Sequence, residues 1–463
     1  MKSALTFARQ FIQARWPGIN SRAKLDAWQA QMIQRHLDWV CAHSPFYAAY
    51  QGQPLSAFPI MDKATMMDNL DAINTQGLKS EILMPLALNA EQSREFSSSV
   101  CKGVTVGLSS GTSGRRGLFL ANDAERQLWA AAITGKMLPS LLSKHRIALL
   151  LRADSPLYHS VKRRRVQFHY CDLTQPLSQW LPALEAFDPT LMVGSAQALM
   201  LAAEHHTQLK PNRVISGAEV LTPTDKHWLG DKLGCDIHEI YQCTEGFLAC
   251  SDRHGVMRWN EDLVYIEREW LNEEKTHYVP IITDFRRTTQ PVIRYRLDDV
   301  IEHKEDDGIF APIEAIVGRC GDRFLLPPLS CDANKEQNAN EQSAMLQRTT
   351  LPESTELLTT HDPITLLPDL IARAVTLAVD GQCNYRITQT GINTVHIEAP
   401  EAHQPHIATS LSRLFSQQGC AQTVFTFASE PQWQPDIKQR RVVNACHTPS
   451  QLTVQMTAQG AQQ

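Results

Sequence analysis

Nine consecutive positions, Ser109 to Gly117, read SSGTSGRRG and hold only glycine, small hydroxylated residues and arginine. Glycines at 111, 114 and 117 let a backbone approach an anion closely. The hydroxyls of Ser109, Ser110, Thr112 and Ser113 can donate hydrogen bonds, and Arg115 and Arg116 add positive charge. The loop is therefore read as a phosphate cradle. It has neither the GxxxxGK[ST] form of a Walker loop nor the GxGxxG form of a dinucleotide fingerprint. Four further segments have the composition of a nucleotide site: SGAE at 216 to 219, YQCTE at 241 to 245, YRLDD at 295 to 299 and GRCGD at 318 to 322. YQCTE places an aromatic face, a hydroxyl and a carboxylate within five positions. Taken singly, each segment has a plainer reading. SSGTSGRRG is also a solvated turn, Glu245 a helix-start carboxylate, Asp299 a turn residue before a strand, and Tyr241 a core aromatic with a wet edge.

The elements that must carry these segments follow from apolar periodicity. The first 90 or so residues read as helical, with Trp28, Met32, Ile33 and Leu37 at helical spacing. VTVGL at 104 to 108 is a strand leading into the glycine loop, and ERQLWAAAITGKML is the helix that follows. Strands are predicted at 147 to 151, 190 to 195, 213 to 217 and 236 to 242, separated by helices at 196 to 206 and 224 to 234. This alternation specifies an α/β class: a large layered domain with a parallel sheet, and ligands at the C-terminal ends of its strands. From about Asp262 to Arg319, strands LVYIERE, HYVPIIT, PVIRYRL and IFAPIEAIV form a β-rich subdomain. A polar stretch at 330 to 354 reads as a linker, and the last hundred residues as a small α+β domain. The expected division is 1–319 for ATP and carboxylate binding, 320–362 for hinge and linker, and 363–463 for a small mobile domain.

Composition narrows the partners. Of 463 residues, 43% are apolar and 20% charged, with a formal net charge of −5, so no electrostatic argument favours nucleic acid or an anionic membrane. Charged and polar residues interrupt the N-terminal apolar residues, and no later run is long enough to span a bilayer; a soluble, cytoplasmic protein is expected. Eleven cysteines without a CxxC pair suit free thiols in a reducing compartment. Cys243, Cys250 and His254 are the one group to test as metal ligands, although their spacing fits no standard zinc site. The run KRRRV at 162 to 166 is read chiefly as an exposed basic loop, with coenzyme phosphates as the other option, and the flanking His159 and His169 as structural histidines.

As an ordered set the five segments resemble the adenylate-forming superfamily, the AMP-binding acyl-activating ligases. The shared patterns are the Ser/Thr/Gly loop, a GAE turn, Y-x-x-T-E, Y-R-x-x-D, G-R-x-x-D and a lysine near the C-terminus, here Lys438 in IKQRRVV. SPFY followed by FPIMDKATM, SSGTSGRRG and RYRLDDV look closest to the branch of phenylacetate-CoA ligase and the deazaflavin-adenylylating synthetase. The resemblance spans nearly the whole chain. It implies ATP-dependent activation of a small carboxylic acid, an aromatic acid being one option, to an acyl-adenylate with release of pyrophosphate. The acyl group would then pass to the thiol of coenzyme A or to phosphopantetheine on an acyl carrier protein. Two alternatives stay open, a nucleotidyltransferase that leaves AMP on its product and a non-catalytic nucleotide-binding homologue. A second copy of the chain is a further partner to consider.

The resemblance also implies roles. Ser109, Ser110, Gly111, Thr112, Ser113 and Gly114 would clamp the departing pyrophosphate, and Glu245 would hold magnesium, since a hard cation prefers a carboxylate. Thr244 would hold an α-phosphate oxygen. Tyr241 would stack on adenine, with the backbone of Gly217, Ala218 and Glu219 along the base. Asp299 would accept from both ribose hydroxyls, Arg319 would add a donor, and Lys438 would pair the substrate carboxylate with the phosphate. Asp322 would be the hinge. Three features depart from the family: Arg115 and Arg116 stand where many relatives carry proline and lysine, Ile437 replaces the glycine before the lysine, and the stretch after 329 is unusually polar.

Overall fold

The computed structural model describes residues 2–93, 95, 99–108, 117–139, 143–151, 165–173, 177–205, 208–319, 322–329, 363–379, 383–431 and 440–446. The chain divides between Ile316 and Val317, and the two units are described in turn.

In the first unit, helices Lys2–Arg15, Arg22–His43 and Ser80–Ser93 lead into an antiparallel sheet of β1 (Val100–Cys101), β2 (Val104–Leu108) and β3 (Leu118–Asn122). VTVGL thus pairs with a strand, LFLAN, that periodicity did not mark, and it stands apart from the parallel sheet. Leu108 pairs with Leu118, so the two strands bracket the glycine loop as the arms of a hairpin. Helix Asp123–Met137 follows directly, its start set by a capping box: the Asn122 side chain accepts from the Glu125 N–H, and the Glu125 carboxylate accepts from the Asn122 N–H.

The seven-stranded sheet comprises β4 (His145–Leu151), β5 (Val166–Asp172), β6 (Leu191–Gly194), β7 (Arg213–Ser216), β8 (Ile237–Cys243), β9 (Gly246–Ser251) and β10 (Met257–Trp259), in the order β10-β9-β8-β7-β6-β4-β5. From β5 to β8 it is parallel, and β9 and β10 extend it antiparallel. Ile147 to Leu150 are all buried, as a central parallel strand requires. Helices Leu177–Phe187, Ala196–His205 and Pro223–Leu233 connect the strands, with Leu184, Leu199 and Leu229 fully buried in one core beneath them.

A second sheet is built on β12 (His277–Asp284), which pairs with β11 (Val264–Trp270), β13 (Val292–Arg296) and β14 (Asp299–Glu302). The strand expected over IFAPIEAIV shortens to β15 (Ala315–Arg319). Side chains explain the loss: the Phe310 carbonyl accepts from the Arg258 guanidinium and the Ala311 N–H donates to the Glu261 carboxylate, which removes both from a ladder.

The second unit pairs β16 (Phe324–Leu326) with β17 (Ile364–Leu366). A four-stranded sheet of β18 (Arg386–Gly391), β19 (Thr394–Glu398), β20 (Val424–Ala428) and β21 (Val442–Asn444) runs in the order β20-β19-β18-β21. Helices Pro368–Thr376 and Gln404–Gln417 accompany it, and Ile387, Val395, Ile397, Ile407 and Leu411 are completely buried among them. The α/β class, with its parallel layer, β-rich part and small α+β unit, is that read from the sequence. No helix among the described residues is long and apolar enough to cross a membrane.

One helix carries a titration signature. His36, buried in Arg22–His43, is held by burial at about 4, against 6.5 for a free histidine. Between those values the unfolded chain binds the extra proton, so this group's contribution to stability is present above pH 6.5 and lost as pH falls through 4, a difference worth roughly 3 kcal/mol. Asp284 runs the other way: burial raises it to about 6, and its contribution is present below 3.8 and lost as pH rises through 6. A His36→Leu variant should therefore lose the acid-side destabilisation and leave the Asp284 slope exposed. Denaturant titrations between pH 4 and 7 check this, and parallel profiles for the two proteins would refute it.

Candidate functional site

Three strand ends of the parallel sheet converge. Gly194 ends β6, Gly217 follows β7, and Thr244 and Glu245 form the two-residue turn between β8 and β9. The Gly217 N–H donates to the Gly194 carbonyl at 2.9 Å. Gly217 has no room for a side chain, since a Cβ there would lie 2.7 Å from Ile240 Cγ1. Ala218 then takes a left-handed φ of +66°, a strained state for a residue with a Cβ and one that concentrates at ligand sites. Glu219 turns back, its carboxylate accepting from the Gln197 N–H. Gly217→Ala should destabilise the protein by about 1–3 kcal/mol through overpacking. Ala218→Gly should stabilise it by about 1 kcal/mol by relieving the positive φ. Urea titration reads both, and a neutral Gly217→Ala would show that Ile240 can yield.

Around the β8–β9 turn the polar groups are tightly interlocked. Glu245 sits in a hairpin turn rather than at a helix start, and Thr244 Oγ1 donates to its Oε2 at 2.9 Å. Tyr295, from β13, adjoins the Glu245 carboxylate; burial first and that carboxylate second push its phenol far up, so it stays protonated at any working pH. The Thr244 carbonyl accepts from Arg287 Nη1 at 2.8 Å, and Arg287 Nη2 donates to the Leu120 carbonyl at 3.1 Å. One guanidinium thereby ties the turn to β3. Tyr241 is buried near Trp259, with ring centroids 5.8 Å apart, and its hydroxyl donates to Asp299 Oδ2 at 2.5 Å. Burial and the adjoining Asp299 carboxylate raise its phenol. The YQCTE and YRLDD segments are thus joined by Tyr241 to Asp299, with Tyr295 close to Glu245.

The N-terminal segment FPIM joins the same cluster. Met61 pairs with Tyr295 in an isolated parallel bridge, the Met61 N–H donating to the Arg294 carbonyl and the Arg296 N–H to the Met61 carbonyl. Arg294, at φ +46°, forks onto Glu267 and caps the Phe58 carbonyl. On the opposite side, Gln290 clamps β3: its Oε1 accepts from the Leu120 N–H at 2.9 Å and its Nε2 donates to the Leu118 carbonyl at 3.3 Å.

A cavity of about 350 Å3 opens beside this cluster, lined by Gly194, Gly217, Ala218, Gln242, Cys243 and Thr244 from the strand ends. Its other walls come from β3, helix Asp123–Met137 and the Asp284 to Arg287 segment. Apolar side chains such as Phe119, Trp129, Val193 and Phe247 dominate, the composition of a pocket for a small organic molecule. Burial and the neighbouring Glu245 raise the Cys243 thiol, which keeps it neutral.

Ser109, Ser110, Gly111, Thr112, Ser113, Gly114 and Lys438 lie outside the described residues, as do Cys320, residues 162–164, His159 and the stretch 330–362. Arg319 ends β15 in the second unit. There too, Arg440 donates to both carboxylate oxygens of the buried Asp322, two positions after Lys438 in sequence. Cys243, Cys250 and His254 do not gather: Cys250 Sγ meets Asn260, His254 meets Arg253, and no cluster of three metal-ligating side chains occurs among the described residues. Tyr295, Arg287, Gln290 and Glu125 were not singled out from sequence. Tyr295 alone had a signal, as the first residue of YRLDD.

No protein-family model matches the chain, and no curated protein matches it by sequence. Among solved structures, it is similar to 2-hydroxyisobutyryl-CoA ligase in the postadenylation state in complex with R3-HIB-AMP, at 14% identity over 97% of this chain and 94% of that one, with a TM-score of 0.62. It is also similar to that ligase in complex with 2-HIB-AMP and CoA in the thioesterification state, at 14% identity, 97% and 94% coverage and a TM-score of 0.53. The chain therefore has the fold of an adenylate-forming acyl-CoA ligase.

Proposed function

We propose that the protein activates a small carboxylic acid with ATP, forming an acyl-adenylate and pyrophosphate, and passes the acyl group to the thiol of coenzyme A. The observation that carries this reading is the Tyr241 to Asp299 link of YQCTE to YRLDD beside a mostly apolar cavity at the strand ends. On this reading Glu245 is the cation-binding carboxylate, Asp299 the ribose-binding one and the cavity the acid pocket. Asp299, oriented by Tyr241, accepts from the ribose hydroxyls, and the Gly217 to Glu219 turn lines the base. Glu245, beside Thr244 and Tyr295, fits magnesium: a single carboxylate is the usual protein contribution where nucleotide phosphates complete the coordination. Magnesium supplies charge neutralisation at those phosphates. Thr244 Oγ1 gives up its hydrogen bond to Glu245 to donate to the α-phosphate, the Ser109 to Gly114 loop clamps pyrophosphate, Arg319 adds a ribose donor and Lys438 bridges the two anions.

The test is pyrophosphate release from ATP across a panel of carboxylic acids, with and without coenzyme A or a phosphopantetheinyl carrier protein. Acid-dependent release that Lys438→Ala lowers by roughly 100-fold or more is expected. Release with no acid dependence would overturn the reading.

A further inference from the structure

Two carboxylates stand in the walls of the cavity, Glu125 and Asp284, and their hydrogen bonding differs. Both oxygens of Glu125 are taken: they accept from the backbone N–H groups of Asn122, Thr288 and Thr289 and from the Thr288 hydroxyl. Asp284, at the end of β12, accepts from the Arg286 N–H through Oδ1 at 2.8 Å. Its Oδ2 has no hydrogen-bond partner among the described residues, although the residue as a whole is 7% exposed. That oxygen is not shut off, as Thr105 Oγ1 and Arg286 Nη1 in the same walls are. Glycine at 246 keeps it uncovered, since a Cβ there would lie 3.0 Å from Oδ2.

Arg286 and Arg287 act on this carboxyl through space, but neither forms an ion pair with it, and burial outweighs both and raises it to about 6. Above that pH it is ionised and can only accept. A buried acceptor left without a donor costs about 1–3 kcal/mol or more, so a ligand that brings a donor to Oδ2 is favoured over one that does not. The fitting donor is a neutral one. Arg126, Arg286 and Arg287 set three guanidiniums in these walls against two carboxylates, and an ammonium beside Asp284 would enter a positive field. Gln242, also in the wall, can both donate and accept and so selects for neither.

We infer that Asp284 is a specificity-determining residue whose Oδ2 accepts a hydrogen bond from a hydroxyl or uncharged amine on the substrate, so that the acid activated here is a hydroxy- or arylamino-substituted carboxylic acid. This rests on the activation reading above and specifies its substrate class. The substituent takes no part in bond making and is carried through unchanged.

The experiment compares matched sets in the pyrophosphate assay: the hydroxybenzoates, the aminobenzoates and 3-hydroxybutyrate, each against the unsubstituted acid and the methylated derivative that has no donor. The full chain should prefer at least one hydroxy or amino acid over both analogues by on the order of 100-fold in kcat/KM, as a site built for a polar group rejects the analogue lacking it. Asp284→Asn should shift preference toward the methyl ether, because its one carbonyl oxygen is held by the Arg286 N–H and its NH2 turns to the cavity. Gly246→Ala, which covers Oδ2 but keeps the carboxylate, should lower the ratio without inverting it. Wild-type protein that uses the unsubstituted or methylated acids as well as every hydroxy and amino acid would overturn the inference, and so would equal losses for all acids in both variants. If no acid releases pyrophosphate, the activation reading fails separately. Calorimetric binding of the same sets to the wild type and Asp284→Asn then decides: a hydroxy or amino acid bound more tightly than its methylated derivative, with the order reversed in the variant, supports the donor site. Binding that is absent or insensitive to Asp284 rejects it.

Discussion

Glu245→Gln should lower acid-dependent pyrophosphate release by roughly 100- to 1000-fold while leaving the fold intact. The substitution keeps the shape of the side chain and an oxygen to accept from Thr244 Oγ1, so the β8–β9 turn should hold. Only the charge is removed. On the proposed reading a hard divalent cation thereby loses its anionic protein ligand, and the phosphates lose the neutralisation that activation of the α-phosphorus demands. Raising magnesium should recover part of the rate, because the phosphates still bind the ion. Tyr295→Phe, which leaves the carboxylate charged but removes the polar hydroxyl beside it, should show an intermediate loss of about 10-fold, expressed in the magnesium dependence. Steady-state rates at a series of magnesium concentrations read all three proteins. A Glu245→Gln variant with the wild-type rate would move the cation site elsewhere.

Glu125→Ala should destabilise the first unit by about 3–5 kcal/mol, the largest stability effect expected of any single change near the cavity. Its carboxylate is buried and accepts from Asn122, Thr288 and Thr289 backbone N–H groups and from the Thr288 hydroxyl. Truncation strands these donors where water cannot replace the acceptor. It also removes the capping box of helix Asp123–Met137 and the strap that holds the Thr288 to Gln290 segment against β3. Glu125→Gln should cost less, about 2 kcal/mol: one oxygen still accepts, but the amide NH2 must face a backbone N–H. Because β2 and β3 bracket the glycine loop, nucleotide KM should rise in step with the loss of stability. Denaturant titration together with KM for ATP tests the pair. A Glu125→Ala protein of wild-type stability would mean that water reaches the three donors.

Residue order and periodicity alone determined the class of this protein. Buried parallel strands such as IALLL are continuous apolar runs, and the helices between them have one apolar face, so both announce themselves locally. The nucleotide segments were legible for a similar reason, since glycine, hydroxyl and carboxylate at fixed spacing at the ends of strands have few structural uses. Strands with weaker patterns were missed: LFLAN is completed by its hairpin partner VTVGL across the glycine loop, and VQFHYCD and VVN by partners further away in the chain. What the tertiary structure decided is which charges remain available. Arg286 and Arg287 are adjacent and chemically identical, yet Arg287 donates from Nη1 and Nη2 to the Thr244 and Leu120 carbonyls, whereas Arg286 Nη1 is buried with no partner among the described residues. Tyr295 and Glu245 stand fifty positions apart and meet only because β13 and the β8–β9 turn pack together. Hydrogen-bond satisfaction is a property of the assembled neighbourhood, and no local spacing rule encodes it.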